Sequence, residues 1–270
     1  MKSLALGVLL GASLFGAVRA EACLRSTVPS RGQAPGPCLW WGAREVPYAV
    51  NELGSARIAP DGSEFTAITA SYATWNEPSC SDMTLVEQPR TARTDIGFDQ
   101  TQGAVNVNLV VFRDRSCRQA APTSDPCWRE GGCNNKFNCW EQSSETIAVT
   151  TTSFSNRTGE IFDADLELNG DGFDFTTATG APCPAVQGDP ASGSCVATDL
   201  ANTVVHEVGH FLGLDHTDVA DATMYRSADI GETKKRTLHE DDLACYCAMY
   251  PAGRPTVTCI TPEPDVAVGD

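Results

Sequence analysis

The chain has 270 residues, with 35 acidic against 19 basic side chains, a net charge of −16 and 41% hydrophobic residues. A charge of that sign excludes nucleic acid as a natural partner, because one polyanion repels another. The length suffices for one good core or two small ones, and the twelve cysteines, an even number, favour up to six disulfides in an exported chain.

Lys2 precedes an apolar run from Leu4 to Phe15, and Val18, Arg19 and Ala20 give a small-x-small pattern ahead of Glu21. This is the pattern of a secretory signal peptide over 1–20, so the chain is expected to be secreted. The run is shorter than the ~20 residues a bilayer span requires and no later stretch is as apolar, so no membrane partner is expected. Residues 21–45, rich in Pro, Gly and Arg, form a loop-rich leader in which Cys23 and Cys38 are expected to pair.

The main domain is expected over 46–250. Residues 46–51 (VPYAVN) have strand character, and Phe65, Ile68, Tyr72 and Trp75 recur at helical steps, predicting an amphipathic helix from Glu64 to Trp75. The Val-rich segment 103–114 reads as a strand buried on both faces, which after a helix suggests a parallel βαβ unit. Residues 114–141 break regularity with prolines, glycines and four cysteines, as a stapled excursion does. Two further strands are predicted in 145–154 and 159–169, joined by the turn Ser155-Asn156-Arg157-Thr158-Gly159. A long polar loop follows, closed on itself by Cys183 and Cys195.

Helical periodicity returns over 198–216, with Thr198 or Asp199 as N-cap and Gly213 ending the helix, and a last helix is predicted over 239–250. Residues 251–270 form a short tail anchored by Cys259. Thiolate metal binding by Cys245 and Cys247, or by Cys127, Cys133 and Cys139, is the competing use of the cysteines; none has the paired C-x-x-C spacing of a zinc ribbon.

The chemistry is carried by His206, Glu207, His210 and His216. Two histidines four apart on a helix project from one face and can share a metal ion, for which zinc is expected. Glu207, beside the first ligand, can reach a water on the metal without ligating it, which is the place of a general base. Gly213 lets the backbone turn so that His216 returns to the same ion. Three of the four histidines in the chain lie in this string, which has the full H-E-x-x-H-x-x-G-x-x-H form.

HEVGHFLGLDH, with the later Ala222-Thr223-Met224-Tyr225, resembles the metzincin metallopeptidases and among them the matrixins. The segment 238–250, with adjacent Asp241 and Asp242, resembles the matrixin C-terminal helix, and 158–169 resembles the strand before the active-site helix. The resemblance implies an α/β (α+β) metzincin-type catalytic domain: a twisted, mixed, mostly parallel sheet with one antiparallel edge strand, an active-site helix beneath it and a small C-terminal subdomain. It implies a monomeric zinc endopeptidase acting on protein or peptide substrates, with Met224 as an apolar floor under the zinc and Ile147 to Ser153 as the edge on which a peptide adds as a strand.

The chain also departs from the family pattern. His239 is its single histidine outside the motif, so one catalytic zinc and no structural one is expected. Asp163, Asp165, Asn169, Asp171 and Asp174 form an oxygen-rich set suited to calcium, although Leu166 stands where the family often has an acidic ligand; ordinary solvated turn carboxylates are an equal reading. Arg226 occupies a position where matrixins usually carry proline, and the Pro-Arg-Cys-Gly string of the cysteine switch does not occur before Val46. The rival function is an inactive binding module that keeps zinc as a staple; the presence of Glu207 speaks against it.

Overall fold

A computed structural model describes residues 24–30, 36–129, 132–184 and 195–259; residues 1–20, expected to be a signal peptide, Cys23 and the end of the tail lie outside them. Six strands form one sheet: β1 (Trp40–Trp41), β2 (Glu45–Val50), β3 (Thr84–Glu87), β4 (Leu109–Phe112), β5 (Ala148–Phe154) and β6 (Glu160–Leu168). The long β6 holds β1 at its start and β4 at its end, β4 pairs β2 and β2 pairs β3, all in parallel. Among the described residues only β5 runs antiparallel in this sheet, along β6, and it pairs no other strand. The sheet is therefore mixed and mostly parallel with one antiparallel edge.

Helix α1 (Ser63–Asn76) crosses from β2 to β3, as expected of a βαβ unit. Its predicted stripe of Phe65, Ile68, Tyr72 and Trp75 is buried, and Tyr72 stacks on Tyr48 of β2 at a ring separation of 3.6 Å. A short helix α2 (Cys117–Ala120) lies in the excursion, α3 (Leu200–Phe211) is the motif helix, and α4 (Glu240–Met249) closes the fold. Val204, Val208 and Phe211 of α3 are fully buried in the core shared with α1. Burial of such side chains, worth about 1.5–3 kcal/mol each, fixes which face α3 can turn outward. The Trp75 indole donates to Val205 O at 2.9 Å, locking the two helices in axial position. A two-stranded ribbon, β7 (Phe175–Thr176) with β8 (Thr198–Asp199), leads into α3.

Two expectations change. Cys38 pairs with Cys259, not with Cys23. The leader folds back on itself through Val28 N to Pro37 O, and Arg25 donates to Val257 O, so Cys38 is set against the tail. The strand expected from residue 103 begins only at Leu109, because the Asn108 side chain replaces the ladder: its Oδ1 accepts from Ala164 N and its Nδ2 donates to Pro47 O. The closely spaced cysteines form bridges: Cys117–Cys139, Cys127–Cys133 and Cys80–Cys247, and Cys245 is disulfide-bonded too. The predicted Cys183–Cys195 closure is present.

The leader also contributes more than a tether. Trp41 donates its indole N–H to Phe211 O at 2.7 Å, and Tyr250 donates its hydroxyl to Leu212 O at 2.7 Å. Together they satisfy carbonyls at the end of α3 that the helix itself leaves open.

Candidate active site

Helix α3 starts at Asp199, whose carboxylate accepts from Asn202 N at 2.7 Å and is held by Arg236. It stops after Phe211, and Gly213, at φ +93°, makes the turn; a Cβ there would lie 2.7 Å from Leu39 O. The chain then reverses and returns His216 to the face carrying His206 and His210. The Nε2 atoms of His206 and His216 are 3.2 Å apart, and those of His210 and His216 are 3.1 Å apart.

The outer nitrogens of the two helical histidines are engaged. His206 Nδ1 lies 2.6 Å from Thr223 O and His210 Nδ1 lies 3.0 Å from Leu214 O. A carbonyl only accepts, so each Nδ1 carries the proton and each Nε2 presents a lone pair inward. Burial holds both imidazoles below their ordinary pKa and so neutral, the form in which histidine ligates a metal. Lone pairs facing one another at about 3 Å are satisfied by a cation, and ligands at zinc's 2.0–2.1 Å in a tetrahedron stand about 3.3 Å apart, so the residues fit zinc.

Beneath them, Met224 is buried against α3 where Gly209 leaves room: a Cβ on Gly209 would come within 2.2 Å of Met224 Sδ. The turn carrying Met224 is fixed by Asp242 of α4, which accepts from Thr223 N at 2.7 Å, Met224 N at 3.0 Å and His239 N at 2.9 Å. His239 caps α4 through Nδ1, away from the other three histidines. Thr223 thus links the Asp242 anchor to His206.

Glu207 is buried beside the triad. Burial pushes its carboxyl up to about 7, opposed by the Thr150 hydroxyl, which donates to Oε2 at 2.7 Å. Thr150 belongs to β5, whose outer edge borders a cavity of about 570 Å³ containing all three histidines and Glu207. On the far side the cavity is walled by Arg226, Ser227 and Ala228, and Lys235 reaches it from a 3-10 turn, Lys234–Arg236. Arg226 itself pairs with Asp218 at 2.6 Å. Neither Thr150 nor Lys235 is marked in the sequence by spacing or motif; both are brought in by the fold.

The oxygen-rich set is largely engaged by protein groups. Asp174 pairs with Arg57, and Asn169 is used by Thr146 O and Gly172 N. Asp163 and Asp165 are not solvated turn carboxylates either: both are buried on β6, and Asp165 accepts from Leu109 N at 2.8 Å and from Gly97 N. Burial, then the neighbouring Asp163, push Asp165 up to about 8, and burial raises Asp163.

Residues 40–251 match the family described as Matrixin. Over 57 residues the chain is 44% identical to metalloendoproteinase 4-MMP of Arabidopsis thaliana, a stretch covering 21% of this chain and 16% of that protein. It is 42% identical over 65 residues to metalloendoproteinase 1-MMP of the same plant, covering 24% and 18% respectively. Against karilysin of Tannerella forsythia it is 26% identical over 138 residues, 45% of this chain and 28% of the relative. The chain thus spans less than a third of the length of each of these relatives.

Proposed function

The chain belongs to the matrixin family, and on that premise we propose that it is a secreted zinc-dependent endopeptidase that hydrolyses internal peptide bonds of proteins, its main domain running over 46–250. The observation that carries this is the convergence of three inward-facing Nε2 atoms beside Glu207, in a cavity bordered by an unpaired strand edge. In this reading His206, His210 and His216 hold one catalytic zinc. When bound, zinc would polarise the scissile carbonyl and acidify a water.

The chain's own residues do the rest. Thr223 O and Leu214 O keep the imidazoles in the ligating tautomer. The outer edge of β5 offers backbone N–H and C=O groups to an extended peptide, which lays the scissile bond across the triad. Glu207 takes the proton of the attacking water and returns it to the leaving amine, and Thr150 fixes the carboxylate's rotamer for both transfers. Calcium has no part in the proposal, since Asp174 and Asn169 are held by protein partners. Secretion is supported by the five bridges Cys38–Cys259, Cys80–Cys247, Cys117–Cys139, Cys127–Cys133 and Cys183–Cys195, and among the described residues no helix is long and apolar enough to cross a membrane.

The test is Glu207→Gln. The amide keeps the volume but can neither accept nor return the proton, so kcat on a protein substrate should fall at least about 10²-fold with zinc content and KM little changed. A variant that keeps its zinc and more than a tenth of the wild-type kcat would remove Glu207 from the mechanism and leave the metal as a staple.

A further inference from the structure

Lys235 is a buried cation on the wall of the cavity that holds the histidine triad. Its side chain is 3% exposed, and its backbone N–H donates to Asn202 Oδ1 at 2.8 Å. Asn202 stands one helical turn before His206, about 6 Å along the axis of α3. That is just under two residues of an extended peptide, so a side chain that reaches this end belongs to a residue within two positions of the bond lying over the triad.

The ammonium has three N–H donors. Nζ donates to Ser227 O at 2.9 Å and to Tyr225 O. The Glu232 carboxylate lies 4.0 Å away, beyond a direct hydrogen bond. Asn202, Thr203, Ser227 and Ala228, all polar or small, line the same cavity, as do Ile147 and Glu145. An aliphatic side chain entering here would meet a buried cation and offer it no partner, which is costly; a carboxylate would bring a charge-assisted hydrogen bond.

We infer that this cavity selects peptides carrying an acidic residue within two positions of the scissile bond, with Lys235 as the residue that sets the preference. Arg226 at the mouth, already paired to Asp218, adds a second positive charge on the same wall. The inference rests on the peptidase reading for the identity of the bond but not for the binding. The rest of the molecule, at net −16, repels an acidic peptide at long range, so the selection operates only at contact. Added salt should therefore raise kcat/KM for acidic peptides.

The experiment uses the zinc-loaded chain and one peptide frame in which each residue within two positions of the cleaved bond is in turn Glu, Gln or Leu. The wild type should cleave a Glu peptide at least ten-fold better in kcat/KM than its Gln and Leu counterparts. Lys235→Met should abolish that preference, and Lys235→Arg should keep it. Binding of the same peptides to the Glu207→Gln protein, read by fluorescence anisotropy, gives a second measure independent of turnover. Cleavage that favours Leu, or a Glu preference that survives Lys235→Met, overturns the inference and leaves the peptidase reading standing. Lys235-dependent binding of Glu peptides without any cleavage would do the reverse, and neither cleavage nor such binding would overturn both. If Lys235→Met loses zinc or melts early, the wild-type ranking and Lys235→Arg decide alone: Leu above Glu overturns the inference, and Glu at least ten-fold above Gln, kept in the Arg variant, upholds it.

Discussion

The histidine site and the stapled excursion of residues 114–141 are built on opposite principles. The site is assembled from segments far apart in sequence, α3, the Met224 turn, α4 and β5, held by apolar packing, by the buried Asp242, which serves three N–H groups, and by Glu207, which accepts from the Thr150 hydroxyl. The excursion has a core of its own, Cys117, Cys133 and Cys139 with Trp128 and Phe137 against them, and two bridges closing short loops. Arg113, fully buried, ties it to the sheet, donating to Asn138 Oδ1 within the excursion and to Glu167 of β6 at 2.6 Å. Damage to the first kind of structure should spread, and damage to the second should stay where it is made.

The largest effect is expected from Asp242→Ala. It leaves three N–H groups, two of them buried with the Met224 turn, without their acceptor, at a cost of about 3 kcal/mol or more. For a domain of this size that lowers Tm by about 10 °C. Because Thr223 O orients His206, zinc should also be lost more readily to a chelator; unchanged zinc retention at a lowered Tm would show the two halves of the site to be uncoupled.

The matching break in the excursion is Cys117→Ser with Cys139→Ser. The bridge spans 22 residues, and closing a loop of that size is worth about 3 kcal/mol in the chain-entropy account. The cost should appear as local opening, seen as new tryptic cuts at Arg118 or Arg129, with kcat and zinc content within two-fold of wild type. A collapse of activity would make the excursion part of the site's support.

A change of pH tests the contrast from within the sheet. Asp165, held up to about 8, keeps its proton in the fold and loses it in the unfolded chain above about pH 4. The native state then binds more protons, so stability should fall as pH rises from about 4 to 8, by no more than about 1.4 kcal/mol per pH unit for one proton. Asp163→Asn replaces the neighbouring acid by an amide that can donate to Asp165, and should flatten this slope and raise Tm at pH 8. A slope unchanged in the variant would place the titration elsewhere.

The sequence disclosed these regions unequally. Glu207 and the histidines were legible because a helix converts spacing into direction, and Gly213 into a turn, within twenty residues. The helices α1, α3 and α4 and the strands β2, β5 and β6 were legible from periodicity. The four-residue β3 was not, since Thr84 to Glu87 is too short and half polar to stand out. Trp40 and Trp41, read as leader, became a strand because β6 is long enough to have an open edge ahead of β4. Cys38–Cys259, Thr150 and Lys235 were invisible for one reason: each acts across a distance in sequence that only the folded path closes.

The Cys38–Cys259 bridge also makes the chain between those residues a closed ring, 221 residues around. A ring cut once becomes a line, not two pieces. A chain proposed to cleave proteins will meet copies of itself, and a single internal nick, in the polar loop after Gly180 for example, would release no fragment from that ring. Such a nick would be silent on a non-reducing gel and would appear only once thiol is added, so a preparation that looks intact by mass can already be a two-chain protein.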